Sequence, residues 1–121
     1  MTPKELKKLI DSKADFLLLD VREPYEHETA KIKGAKTERL VPLSEFQQDF
    51  QKLGPFKEKK IVAYCHHGGR SMSAAVFLQE QGFKKVQNLE GGIQAWSDEI
   101  DKTVPHYAKN HAMKKAWKIE K

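Results

Sequence analysis

Residues 61–78 read Ile61-Val62-Ala63-Tyr64-Cys65-His66-His67-Gly68-Gly69-Arg70-Ser71-Met72-Ser73-Ala74-Ala75-Val76-Phe77-Leu78, and the order of chemical types along this stretch decides the fold. An apolar run of strand length stops at Cys65, and a polar loop with two glycines follows. From Ser71 onward small and apolar residues continue as a helix. A strand, a tight turn and a helix in that order are the signature of a parallel sheet covered by helices. The loop is also chemically loaded, because Cys65 is the only cysteine in 121 residues. Backbone N–H groups at a helix N-terminus and the guanidinium of Arg70 favour thiolate over thiol. The same groups suit an anionic substrate held against that sulfur.

The flanking sequence repeats the alternation of strand and helix. Thr2-Pro3-Lys4-Glu5 combines a capping residue, proline at the first helical position and Glu three residues after the cap. Leu6, Leu9 and Ile10 extend that start into a helix to about Asp11. Phe16-Leu17-Leu18-Leu19 is a continuous apolar run ending at Asp20, as expected of a strand covered on both faces. A polar helical turn is expected over Glu23–Glu28, and a short strand over Arg39–Pro42. Ser44 is expected to cap a helix carrying Phe46, Phe50 and Leu53, ended by Gly54-Pro55. The central helix runs to Gln81, where Gly82 stops it. Val86–Leu89 reads as a strand, Gly91-Gly92 as a turn and Ile93–Ile100 as a last helix. Ligands of such sheets bind outside the carboxyl ends of the strands, and Asp20 and Cys65 both lie at such ends.

Composition bounds the function. The length suits one domain, and no apolar run approaches the ~20 residues of a membrane span. The first residues carry charge with no apolar region after them, so no signal peptide is read there. A single cysteine excludes an intrachain disulfide, a CxxC pair and a multi-cysteine zinc site, and a reducing, cytoplasmic setting is expected. The net charge is +5, of which residues 101–121 hold +4 through Lys102, Lys109, Lys114, Lys115, Lys118 and Lys121 against Asp101 and Glu120. The chain is therefore read as a domain over 1–101 with a basic extension over 102–121, expected to be helical. Tyr107, Met113, Trp117 and Ile119 are the apolar groups of that extension. Met113 and Trp117, four apart, are expected to pack back on the domain. This reading is preferred to nucleic-acid binding through interleaved lysines and aromatics.

Within the loop, Gly68 and Gly69 permit backbone conformations in which successive N–H groups turn inward as an anion nest. Arg70 adds a permanent charge with a fork of donors. A buried, inert cysteine is the plainer alternative, but the six residues after Cys65 include no large apolar side chain. His66 and His67 are expected to line the mouth of the loop and tune its charge. No metal site is expected from them, because adjacent side chains in a tight loop seldom converge on one ion and zinc spacing is absent. His27, His106 and His111 read as surface residues.

Three separated motifs resemble those of the rhodanese family of single-domain sulfurtransferases. They are Leu18-Leu19-Asp20-Val21-Arg22-Glu23-Pro24-Tyr25-Glu26, the Cys65–Ser71 loop, and Asn88-Leu89-Glu90-Gly91-Gly92-Ile93-Gln94-Ala95-Trp96. The Gly-His-Ile-Pro-Gly-Ala stretch of the family stands here as Ala30-Lys31-Ile32-Lys33-Gly34-Ala35. The resemblance spans about residues 3–100. It implies an α/β rhodanese-like fold with a central, mainly parallel five-stranded sheet flanked by helices on both faces. It also implies sulfur transfer from a donor such as thiosulfate through a Cys65 persulfide, with no cofactor. Cys65 and Arg70 would be catalytic, and His66, His67, Gly68, Gly69 and Ser71 would bind substrate. Asp20 and Arg22 would stand behind the site, where a salt bridge fixing the rim explains them as well as direct catalysis does.

The acceptor would be a thiol, cyanide or a protein, and the chain a monomer or homodimer. A phosphatase or arsenate reductase of related fold is the nearest rival. Its loop has one residue more between Cys and Arg than the four, His66 to Gly69, that intervene here. The smaller ring suits a sulfur atom carried on Cys65. A persulfide carrier or partner-binding module with little turnover of its own is the alternative from a different class.

Overall fold

The computed structural model describes residues 1–107. The helix expected from His106 to Ile119, with Met113 and Trp117, lies outside the described residues from 108 onward. Four parallel strands form the sheet: β1 (Leu17–Asp20), β2 (Thr37–Leu40), β3 (Lys60–Tyr64) and β4 (Lys85–Asn88), in the order β2-β1-β3-β4. Helices α1 (Pro3–Asp11), α2 (Pro24–Thr29), α3 (Phe46–Asp49), α4 (Gly69–Glu80) and α5 (Gly92–Glu99) complete the chain.

The central strands are apolar throughout because each face of the sheet is covered. Leu17, Leu19, Ile61, Ala63 and Cys65 point into one layer with Phe46, Ala74, Ala75 and Leu78. Leu18, Val62 and Tyr64 point into the other with Leu6, Ile93 and Trp96. Val104 and Tyr107 also belong to this second layer, so the chain packs on the sheet beyond the boundary drawn after residue 101. The register pairs Asp20 with Tyr64, which brings the end of β1 beside the residue that precedes Cys65.

Two expectations are corrected. The sheet has four strands among the described residues, not five. Each of the four stretches read as strands forms one strand, and the stretch around Ile32 makes no ladder, its N–H donating to the Tyr64 hydroxyl at 3.3 Å. The helix expected from Ser44 to Leu53 is broken into a 3₁₀ turn (Leu43–Glu45), the single α turn of α3 and a 3₁₀ stretch (Phe50–Phe56). The Ser44 hydroxyl, read as a cap, donates instead to Glu23 Oε2 at 2.8 Å. Aromatic packing overrides the helical period there: Phe46 and Phe50 both meet the Phe77 ring edge-on, with centroids 5.9 and 4.9 Å away.

α1 forms as read, with Thr2 and Glu5 making a reciprocal capping box. α4 starts at Gly69, two residues before the expected Ser71, because Gly68 takes the left-handed conformation (φ +109°) that lets the chain turn from β3 into the helix.

The start of α5 holds the β3–α4 loop. Ile93 N–H donates to the Cys65 carbonyl at 2.9 Å and Gln94 N–H to the His66 carbonyl at 3.1 Å. This approach requires Gly92, which has φ +61° and whose added Cβ would lie 2.3 Å from the His66 oxygen and 2.6 Å from that of Cys65. Both atoms are backbone and neither can give way. Gly92→Ala is therefore expected to destabilise the protein by about 3 kcal/mol, read as a thermal midpoint lowered by ~10 °C or more. Gly54→Ala, at an ordinary φ with no atom within 4 Å of the added Cβ, should stay within about 0.5 kcal/mol of wild type.

Candidate active site

The loop folds so that its donors meet the sulfur. Cys65 Sγ accepts the N–H of Gly68 at 3.1 Å and that of Ser71 at 3.3 Å, at the N-terminus of the twelve-residue α4. Aligned peptide dipoles give a helix start roughly half a positive charge. The Ser71 hydroxyl has one proton and three acceptors near it: Sγ at 3.3 Å, the Gly68 carbonyl at 3.3 Å and Asn88 Oδ1, the nearest. Asn88 Nδ2 donates to the Gly68 carbonyl at 3.2 Å, which orients the amide and ties the loop to the end of β4. Cys65 is only 1% exposed, so the sulfur faces these donors rather than bulk water.

Arg70 is engaged by a second acid. Its Nη1 and Nη2 donate to Glu26 Oε1 and Oε2 at 2.7 and 2.8 Å, and Glu26 is fully buried on α2. Tyr107 OH donates to the same Oε2 at 2.8 Å and accepts from Arg22 Nη1 at 2.9 Å. Arg22 Nε and Nη2 in turn donate to Asp20 Oδ1 and Oδ2 at 2.9 and 2.7 Å. A line of two ion pairs joined by the neutral Tyr107 hydroxyl, Asp20–Arg22–Tyr107–Glu26–Arg70, thus runs behind the loop. Burial alone would raise the Glu26 carboxyl. Hydrogen bonds from Arg70 and Tyr107, with the charge of Arg70, overcome that and bring it down to about 2. Those bonds to Glu26, more than any other influence, keep Arg70 protonated.

The two histidines of the loop differ. His66 is buried, its ring between those of Tyr107 (centroids 4.1 Å apart, 8° between planes) and His67 (3.9 Å, 21°). Burial, and then the neighbouring His67, push His66 below its ordinary value. His67 is the exposed member of the stack. His27, read from sequence as a surface residue, instead places Nδ1 2.8 Å from Asp20 Oδ2.

All nine site residues named from sequence therefore lie at one rim of the sheet or directly behind it. Glu26, Asn88, Tyr107 and Gly92 were given no role there. Glu26 and Asn88 stand inside motifs already quoted, and charge balance at an arginine-bearing loop was the available signal for Glu26. Tyr107 carried no signal, since its partners are 81 and 85 residues away.

Comparison with known proteins gives the family and the fold. The profile of the Rhodanese-like domain family matches residues 2–99, and the chain belongs to that family. A rhodanese-related protein from Thermoplasma volcanium superposes with a TM-score of 0.70 at 32% identity, covering 83% of this chain and 91% of that one. The thiosulfate sulfurtransferase of Pseudomonas aeruginosa gives a TM-score of 0.69 at 26% identity, over 81% of this chain and 18% of that one. The tRNA uridine(34) hydroxylase of Cytophaga hutchinsonii is 38% identical over 93 residues, 77% of this chain and 30% of the relative. The chain spans about 30% of the length of the curated relatives it matches. No helix among the described residues is long and apolar enough to cross a membrane.

The ion-pair line generates two predictions. Glu26 titrates at about 2 in the folded protein against an ordinary 4.5. Its contribution to stability is thus complete above the ordinary value and is lost as pH falls from there toward 2. Urea unfolding followed from about pH 6 to 3 should show this loss. Glu26→Gln should flatten the slope and cost about 2 kcal/mol at neutral pH, because the half-buried Arg70 loses its bidentate partner. Tyr107→Phe keeps the ring stack and removes one bond each from Arg22 and Glu26. It is expected to cost about 1–2 kcal/mol in the same assay.

Proposed function

We propose that this protein transfers sulfane sulfur through a persulfide on Cys65. The observation that carries the reading is the pair of N–H groups, from Gly68 and Ser71, directed at Cys65 Sγ where α4 begins. Such donors stabilise a sulfur anion and cost no reorganisation when it forms. With thiosulfate as donor, the Cys65 thiolate attacks the outer sulfur, the bond to the sulfonate sulfur breaks, and sulfite leaves with the electron pair. A Cys65–S–S⁻ anion remains. An acceptor thiolate or cyanide then attacks the outer sulfur, and the Cys65 thiolate is restored. The two steps replace one difficult transfer and call for no cofactor.

Cys65 and Arg70 are the catalytic residues of this reading. His67, Gly68, Gly69 and Ser71 border the substrate, and Asp20 and Arg22 act by fixing the rim. His66, expected to line the mouth beside them, is instead the middle ring of the stack between Tyr107 and His67. The acceptor lies outside these 121 residues, which hold no second thiol. A lone reactive thiol of this kind suits a reducing, cytoplasmic setting.

A second reading draws on the length of the relatives. A unit that spans about 30% of larger proteins, among them a tRNA uridine(34) hydroxylase, also suits a persulfide carrier that hands sulfur to a partner. The basic extension over 102–121 is where such a partner would dock, whether the chain itself is a monomer or a homodimer.

Treatment of the reduced protein with thiosulfate, followed by intact mass spectrometry, should show a gain of one sulfur atom that is absent from Cys65→Ser. Release of thiocyanate on adding cyanide should remove it. Folded, reduced protein that takes up no sulfur from any donor would overturn the reading. A labelled protein that turns over slowly with free cyanide would favour the carrier.

A further inference from the structure

Resting on the sulfur-transfer reading, we propose that the Cys65 loop selects sulfane-sulfur donors carrying one negative charge or none, thiosulfonates and organic persulfides, over the doubly charged thiosulfate. The reason is that Arg70, the cation of the loop, is matched by a buried carboxylate.

The charges on the page set this preference. Arg70 offers both terminal nitrogens to Glu26, which is fully buried and is held in place by Tyr107. Glu26 stays ionised across the working range, so the pair carries no net charge. Arg22 is matched in the same way by Asp20. Burial, and then His67, both disfavour a positive charge on His66. What faces the sulfur is then two neutral N–H donors and the helix start, worth roughly half a charge. A thiolate with bound thiosulfate brings three negative charges against that half charge. An alkyl thiosulfonate brings two, and a protonated persulfide only one. Repulsion between like charges grows as water is excluded, and Cys65 is buried. The donor with fewer charges is favoured.

The chemistry balances for both donor classes. With R–S–SH, the Cys65 thiolate attacks the outer sulfur, the S–S bond breaks and R–S⁻ leaves with the pair. The proton stays on the new Cys65 persulfide, which then ionises against the loop N–H groups. With R–SO₂–S⁻, the outer sulfur is taken and the sulfinate R–SO₂⁻ leaves.

Methanethiosulfonate and thiosulfate form a matched pair of probes, differing by a methyl group in place of a charged oxygen. On the full chain, kcat/KM for methanethiosulfonate should exceed that for thiosulfate by about tenfold or more, and the persulfide of 2-mercaptoethanol, whose carbon chain carries no charge, should side with the former. In Glu26→Gln, which frees the charge of Arg70, the ratio should fall about fivefold or more through improved use of thiosulfate. If that variant does not fold, wild-type Cys65 alkylation supplies the same information without turnover. The rate ratio of iodoacetate to iodoacetamide should stay within about twofold of that of free glutathione, because no uncompensated cation draws the anion in. Thiosulfate used as well as methanethiosulfonate overturns the inference, as does an unchanged ratio in folded Glu26→Gln or an alkylation ratio about tenfold above glutathione. Failure of every donor to load Cys65 would instead overturn the sulfur-transfer reading. The alkylation ratio still reports the charge balance in that case.

Discussion

One short loop is gripped by the starts of two helices, and the rest of the site depends on that double hold. α4 directs the N–H groups of Gly68 and Ser71 at Cys65 Sγ. α5 directs those of Ile93 and Gln94 at the carbonyls of Cys65 and His66. The first N–H groups of any helix lack partners within it, so both helices bring unspent donors to the same place. Gly92 makes the second grip possible by letting backbone meet backbone at a distance no side chain allows. With its carbonyls fixed from beneath, the loop has little freedom except to present its sulfur to α4.

Behind the loop, charge has to be balanced because water cannot reach it. Arg22 and Glu26 are both fully buried, and each would be costly alone. They are tolerable because Asp20, Tyr107 and Arg70 complete a line in which every ionised group meets an opposite one or a hydroxyl. This line joins the end of β1, the first turns of α2, the segment after α5 and the start of α4. It therefore couples the shape of the rim to the chain beyond the last helix. It also decides how much positive charge Arg70 can offer to a substrate, which composition alone would have overstated.

Legibility varied along the chain with the source of each constraint. β1 and β3 could be read because both faces are covered and the runs are apolar throughout. β4 and β2 were read with shifted ends, since β4 buries only Val86 fully and β2 lies at the sheet edge with polar Thr37 and Glu38. The capping box at Thr2 is local chemistry and was legible as such. The helix expected from Ser44 was not realised, because Phe46 and Phe50 answer to Phe77 on α4 rather than to their own period. Of the site, the nucleophile, its glycines and its arginine stood together in one motif and were plain. Glu26 and Tyr107 gain their meaning only from partners 44 and 81 residues apart, which no local pattern records.

The sequence by itself determined the chemical parts: a lone thiol at the end of an apolar strand, a loop short enough to close on one sulfur, and the alternation that makes a parallel sheet. Those follow from residue type and spacing, which act over a few positions. The tertiary structure decided what those parts can do. It buried His66 in a stack with Tyr107, gave Arg70 to Glu26 and placed Gly92 beneath the loop. These outcomes depend on which distant groups are shut away from water together, because a buried charge must be matched by whatever the fold brings beside it.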